Sequence, residues 1–383
     1  MQTVPAADER GLERQLPSDD ASTARDASSD GCNPAVSPHL IDFLARWLDG
    51  GQFANEVWPD QRSEALSTTL RTMRERAGWR LERITTHQVA RNTIEDAWRI
   101  FAELCRGQSA ALAEIHERFE FIAVVGIPRT GGSYLTAELF ASLGYDPGSV
   151  PGAIAHDGFP DAGPFSMSPG GNRWLNSLLS VSEYLALMKL YFSARPTPGR
   201  TVVPKKLTKA VYAGQLFRRI LGPRANFLLT VRHPIACCVS TYEKSGGLPA
   251  ERRFAARSAI ERWIRRDLLM TGMDASQLAD LDYFAAYVRY WEQFHINLAM
   301  SGLVANREYS VVPYGTQFMH QTAEMFRDRF GADRPVSQFV AGTAYDEKHP
   351  EWVARSAVAI ERVAAVWQLV GIRFPTQAVL LCH

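Results

Sequence analysis

Residues 121 to 140, FIAVVGIPRTGGSYLTAELF, constrain the fold of this chain more than any other stretch. The apolar run from Phe121 to Val125 reads as a fully buried strand. It breaks at Gly126, crosses Ile127-Pro128-Arg129-Thr130-Gly131-Gly132, and enters a helix whose Leu135, Leu139 and Leu143 share one face. Glycines in such a loop let backbone N–H groups approach an oxyanion closely, and the helix N-terminus adds positive potential. Arg129 brings a full positive charge, while Thr130 and Ser133 bring hydroxyl donors. The stretch therefore reads as an anion cradle, and a phosphate is the ligand it explains most simply. The competing reading is a tight strand-to-helix turn with no ligand.

A Walker A loop has the pattern G-x-x-x-x-G-K-S/T, with its lysine on the terminal phosphates. Gly126 and Gly131 have that spacing, but Gly132 stands where the lysine belongs, which disfavours a machine that splits triphosphates. Residues Pro128 to Leu135, PRTGGSYL, instead resemble the 5′-phosphosulfate loop of sulfotransferases, P-K/R-S/T-G-S/T-S/T-x-L. Gly132 departs from that pattern by replacing a hydroxyl residue, at the cost of one hydrogen bond. The resemblance implies 3′-phosphoadenosine 5′-phosphosulfate (PAPS) as the donor. It also implies that Thr130, Gly131, Gly132 and Ser133 hold the 5′-phosphate, with Arg129 beside the bridging oxygen and Tyr134 at a position that stacks on adenine or packs in the core.

A second stretch, Asn226 to Gly247, repeats the logic. Asn226 to Val231 reads as another buried strand. Arg232-His233-Pro234 caps it, Pro234 suits the first turn of the next helix, and Ser240 lies eight residues after Arg232. This resembles the sulfotransferase 3′-phosphate signature, a strand ending in R-D/N/H-P with a serine on the following helix. A dianionic ribose 3′-phosphate calls for a fork-shaped guanidinium and a hydroxyl, roles the resemblance gives to Arg232 and Ser240. Between the two stretches, Thr201 to Val203 reads as a short strand with Lys205, Lys206 and Lys209 at its end, where ligands of open α/β sheets bind. Val203-Pro204-Lys205-Lys206 resembles the lysine-bearing strand end of the same family, so Lys205 or Lys206 is expected as a second catalytic cation. Later, Gly302 to Val312 matches a family strand only loosely, and it is assigned no chemistry.

The expected fold is a three-layer α/β sandwich with a central, mainly parallel sheet, a P-loop-like phosphate-binding loop and a helical N-terminal extension. Residues 1–37, rich in Asp, Ser, Ala and Arg, read as a disordered tail. Residues 38–117 read as a helical region: Leu40, Phe43, Leu44, Trp47 and Leu48 form one stripe, helical stretches follow near 62–77 and 86–105, and Ile94, Trp98 and Phe101 form a second stripe. Residues 118–383 read as the sulfotransferase-like domain. An apolar content of 46% supports a sizeable core, and 42 basic against 41 acidic residues give no overall field for nucleic acid, so any anion site is local. Five cysteines without paired or metal-ligand spacing, no secretory leader and no membrane-length apolar run lead to the expectation of a soluble, cytoplasmic protein.

The Gly/Pro-rich stretch 144–173 reads as a functional loop carrying one titratable cluster, His156-Asp157. His156 is the first candidate for the general base, Asp157 or a lysine the second, and a solvated loop histidine is the competing reading. Arg252, Arg253, Arg257, Arg262, Arg265 and Arg266 form a basic patch that reads as a flank of the site or as a solvated helix face. The aromatic helix 281–300 is expected to be buried on much of its circumference and to lend residues to an apolar acceptor pocket. Resemblance and residues together imply metal-free transfer of a sulfuryl group from PAPS to a hydroxyl of a small-molecule, lipid or sugar acceptor. The rivals are a P-loop small-molecule kinase and a non-catalytic nucleotide-binding protein of the same fold.

Overall fold

The computed structural model describes residues 36–50, 80–156, 172–195, 199–249, 253–342 and 349–381. Residues 1–35 of the expected tail, the helix near 62–77, residues 157–171 of the Gly/Pro-rich stretch with Asp157, and Arg252 lie outside the described residues, while Val36 is buried in the core and Ser37 caps the helix Pro38–Leu48. Residues Val36–His383 form one compact unit. Helices α1 (Pro38–Leu48), α2 (Gln88–Cys105) and α3 (Ala110–Arg118) precede strand β1 (Phe119–Val125). Then come α4 (Gly132–Ser142), the one-turn α5 (Gly152–Ala155), α6 (Asn172–Ser193), β2 (Thr201–Leu207), α7 (Gly214–Leu221) and β3 (Asn226–Val231). They are followed by α8 (Pro234–Lys244), α9 (Ala259–Met270), α10 (Ala275–Ala279), α11 (Tyr283–Met300), β4 (Tyr309–Pro313), α12 (Thr316–Phe330), α13 (Pro350–Leu369) and α14 (Thr376–Leu381).

The protein is α/β, built on a four-stranded, all-parallel sheet in the order β2-β1-β3-β4. Strand side chains alternate between faces. On one face Ile122 and Val124 pack with Leu228, Val312 and the helix residues Leu135, Leu139, Met319 and Phe326. On the other, Phe121, Ala123 and Val125 join Phe227, Leu229 and Val231 in a larger core shared with α1, α6, α8, α11 and α13. Burial on both faces is the reason β1 and β3 read as unbroken apolar runs. Leu143 departs from the expected α4 stripe: it caps the helix and packs against the larger core instead.

Two sequence expectations are corrected in the helical region and at β2. In α2 the residues turned inward are Ala90, Thr93, Ala97, Ile100 and Leu104, while Trp98 is exposed. Small residues at the contact let α2 approach its neighbour closely, so the bulky stripe sits at the rim. The β2 strand does not stop at Val203 but pairs with β1 through Leu207, with Ala123 opposite Lys205 and Val124 opposite Lys206. Pro204 is tolerated because β2 is an edge strand, where a missing N–H breaks no inner ladder. The two lysines are therefore inside a strand and point to opposite faces. Among the described residues no helix is long and apolar enough to cross a membrane.

Candidate functional site

All four strands are parallel, so their carboxyl ends lie along one edge of the sheet, and the first and third strands are neighbours there. Between β1 and α4 the chain must bend sharply under β3. A Cβ on Gly126 would lie 2.0 Å from Thr230 Oγ1, so only glycine fits. Gly131 has φ +84°, and a Cβ there would lie 2.6 Å from Met319 Cε. Arg129 also adopts a left-handed conformation, φ 73°, a strain on the order of 1 kcal/mol for a non-glycine residue. The first backbone bond of α4 runs from Leu135 N–H to Gly131 O at 3.1 Å, which leaves the N–H groups of Gly132, Ser133 and Tyr134 outside the helical ladder.

The hydroxyl of Thr130 does not join them. It is buried, 2.8 Å from Ile127 O and 2.7 Å from Thr230 Oγ1. In place of the expected part as a hydroxyl donor to a phosphate, it acts as a strut fixing the loop to β3. Ser133 is exposed at the first turn of α4, where its Oγ accepts from Lys206 Nζ at 3.2 Å.

The junction after β3 meets this loop directly. Arg232 Nη1 donates to the Arg129 carbonyl at 3.0 Å, and Arg129 Nε donates to Ser240 Oγ on α8, also at 3.0 Å. The Arg232 carbonyl accepts from Trp291 Nε1–H of α11 at 3.0 Å, and His233 caps α8 by accepting the Ile235 N–H at Nδ1. Arg232 is only 3% exposed. Its guanidinium lies 3.8 Å from the centre of the Tyr314 ring, its Nε has no hydrogen-bond partner, and no carboxylate pairs with it among the described residues. An arginine cannot shed its proton, so a buried guanidinium in this state is costly unless an anion compensates it.

The lysines of β2 divide. Lys205 Nζ donates to the carbonyls of Ala153 and Ile154 in α5, at 3.0 and 3.1 Å, and lies 3.8 Å from the centre of the Tyr184 ring. Lys206 turns to the other face, where Nζ reaches Ser133 Oγ and, at 2.9 Å, His156 Nε2. Lys206, not Lys205, therefore faces the cradle. Its Cε lies 3.3 Å from where a Cβ on Gly132 would be. Lys209 is committed elsewhere, in a buried ion pair with Asp267 of α9. His156 is half-buried at the end of α5. Burial first, then the ammonium groups of Lys206, Lys205 and Lys244, push its imidazole well below the ordinary value, so it is neutral at pH 7.

Tyr134 is held rather than free. Its Oη donates to Ser337 O at 2.9 Å, its ring centre lies 4.7 Å from that of Phe339, and burial pushes its phenol up to about 12. Sequence reading missed Tyr314, which follows β4 and faces Arg232; its position past a strand end was the available signal. The aromatic side chains of α11, from Tyr283 to Phe294, are all buried in the core. Helices α8, α9 and α13 pack around this helix. On α9, Arg262 and Arg265 are exposed. Among the described residues no group of three or more His, Cys, Asp or Glu side chains is arranged to hold a metal ion. Comparison of the chain with family models, curated proteins and solved structures gives no match.

Proposed function

We propose that the chain is a PAPS-dependent sulfotransferase acting on a hydroxyl of a small-molecule, lipid or sugar acceptor, with a phosphosulfate loop in a three-layer α/β sandwich. One observation carries the reading: Arg232 is buried with no carboxylate beside it among the described residues and borders a glycine loop at the N-terminus of α4. A nucleotide with phosphates at both ends of its ribose matches the pair of junctions, with the 5′-phosphate on the backbone N–H groups of Gly131, Gly132 and Ser133 and the 3′-phosphate at Arg232 and Ser240.

In this reading Arg129 and Lys206 stabilise the charge that builds on the bridging oxygen as its bond to sulfur breaks. Among the described residues Arg129 uses only Nε in an internal hydrogen bond, which leaves its two terminal nitrogens for the donor without losing the Ser240 bond. Lys206 stands at the first turn of α4, where the donor's sulfuryl end belongs. Lys205 contributes field rather than contact, since α5 carbonyls hold its ammonium. His156 Nε2 takes the proton of the acceptor hydroxyl as the new oxygen–sulfur bond forms. The test is transfer of label from sulfur-35 PAPS to metabolite extracts, alongside calorimetry with adenosine 3′,5′-bisphosphate. Labelled product and bisphosphate binding support the reading. Bisphosphate binding without transfer to any acceptor points to a non-catalytic nucleotide-binding protein.

A second reading has one observation in its favour. Lys206 delivers an ammonium beside Gly132, close to where a Walker lysine would stand, although it comes from β2 rather than the loop. A P-loop kinase would bind ATP with magnesium and show no preference for the bisphosphate.

A further inference from the structure

The contact between Lys206 and His156 bears on the order of events at this site, and the inference rests on the sulfotransferase reading. A general base needs a lone pair turned to the acceptor hydroxyl. The lone pair of His156 Nε2 is engaged by the Lys206 ammonium at 2.9 Å. A neutral imidazole that accepts at Nε2 carries its proton on Nδ1, so neither ring nitrogen takes up a proton while Lys206 stays.

Lys206 also touches Ser133 Oγ at 3.2 Å, in the first turn of α4. Its ammonium thus touches the base on one side and the cradle on the other. A charged phosphosulfate oxygen at that helix N-terminus is a much stronger partner than either. The four-carbon stem of lysine lets the ammonium follow it. The other cations near the imidazole are not equivalent. Lys205 is held by two α5 carbonyls and the Tyr184 ring, and Lys244 belongs to the last turn of α8.

We propose that Lys206 is a donor-operated latch on the base. In the present arrangement it occupies the imidazole lone pair; a phosphosulfate in the cradle draws the ammonium onto itself and releases Nε2 for the acceptor. The same movement then serves both halves of the reaction. Lys206 compensates the electron pair that stays on the 5′-phosphate oxygen as the sulfur–oxygen bond breaks, and His156 receives the hydroxyl proton as the acceptor oxygen bonds to sulfur. Donor binding therefore precedes acceptor activation. Lys206 is in this respect a positioning residue acting through His156.

Ring-labelled histidine NMR on the full chain tests this, with wild type, Lys206→Met and Lys206→Gln each titrated in pH with and without adenosine 3′,5′-bisphosphate, and with calorimetry recording binding. In the wild type the bisphosphate should move the His156 titration up, because the Lys206 ammonium leaves the ring and an anion arrives beside it. Both variants should titrate higher than the wild type without nucleotide, though still below the ordinary value because burial, Lys205 and Lys244 remain, and should shift less than half as far when it is added, because only the direct effect of the anion remains. The glutamine variant serves if the methionine variant does not fold. Binding by the wild type with an unmoved His156, or an equal shift in wild type and variants, overturns the latch and leaves the sulfotransferase reading standing. No binding of the bisphosphate by the wild type overturns that reading and the latch with it.

Discussion

Two cations lie past the carboxyl ends of parallel strands, Lys209 after β2 and Arg232 after β3, and both are almost wholly buried, at 7% and 3% exposure. Each lies over an aromatic ring, Lys209 at 4.1 Å from the centre of Trp263 and Arg232 at 3.8 Å from that of Tyr314. There the likeness ends. Lys209 pairs with Asp267, whose carboxylate also accepts from Tyr212 Oη at 3.2 Å and from Arg266 at 3.3 Å. Arg232 has a backbone carbonyl, a ring face and an unpartnered Nε. The first arrangement is closed and structural, while the second leaves a buried positive charge with no carboxylate beside it among the described residues.

A third buried charge shows why this matters. Glu183 of α6 is fully buried, with Ser37 as its hydrogen-bond donor through N–H and Oγ–H and no cation beside it among the described residues. Burial pushes its carboxyl up to about 7, against the hydrogen bonds from Ser37. An uncompensated carboxylate can take up a proton, but an uncompensated guanidinium has no such exit. That asymmetry makes Arg232, rather than any other buried charge, the place to look for a ligand.

The contrast can be broken by substitution. Asp267→Ala strands the buried Lys209 ammonium and should cost about 3–5 kcal/mol in denaturant unfolding. A loss under about 1 kcal/mol would show the pair to be no tighter than a surface one. Arg232→Met should do the reverse. Stability should stay within about 1 kcal/mol, since an apolar side chain replaces an unpaired charge, while affinity for adenosine 3′,5′-bisphosphate falls about a hundredfold, or about 2.7 kcal/mol.

Glu183→Gln probes the proton exit. The folded pKa of Glu183 is raised from 4.5 to about 7, so its contribution is full below pH 4.5 and is lost as the pH rises through about 7. The variant should therefore be more stable than wild type above pH 7, by about 3 kcal/mol, and should lack that decline between pH 4.5 and 7. Parallel stability curves for the two proteins would remove Glu183 from the account. The smallest effect expected is that of Tyr314→Leu, which removes the ring beneath Arg232 and should weaken bisphosphate binding about tenfold, or about 1.4 kcal/mol, with Tyr314→Phe close to wild type.

Much of the architecture was legible because buried parallel strands leave continuous apolar runs, and glycine or proline marks where each one ends. The two junctions, at Gly126 and at Arg232-His233-Pro234, were found in this way. The limits are equally physical. Lys205 and Lys206 looked like residues beyond a strand because Pro204 and charge both argue against one, yet an edge position tolerates the proline. Period-two alternation separates the two lysines, but which one meets α4 depends on the pairing register with β1. Thr130 resembled a phosphate donor, and its inward turn depends on Thr230, 100 residues away. Tyr314 carries no motif, and only the adjacency of β4 to β3 brings it to Arg232.

Calorimetric titration of wild type and Arg232→Met with adenosine 3′,5′-bisphosphate and with adenosine 5′-monophosphate is the most direct test, because the two ligands differ only in the phosphate assigned to Arg232. Wild type should prefer the bisphosphate by about a hundredfold, and the variant should bind both alike. Equal binding of the two ligands by the wild type, or a preference that survives the loss of the guanidinium, would contradict the assignment.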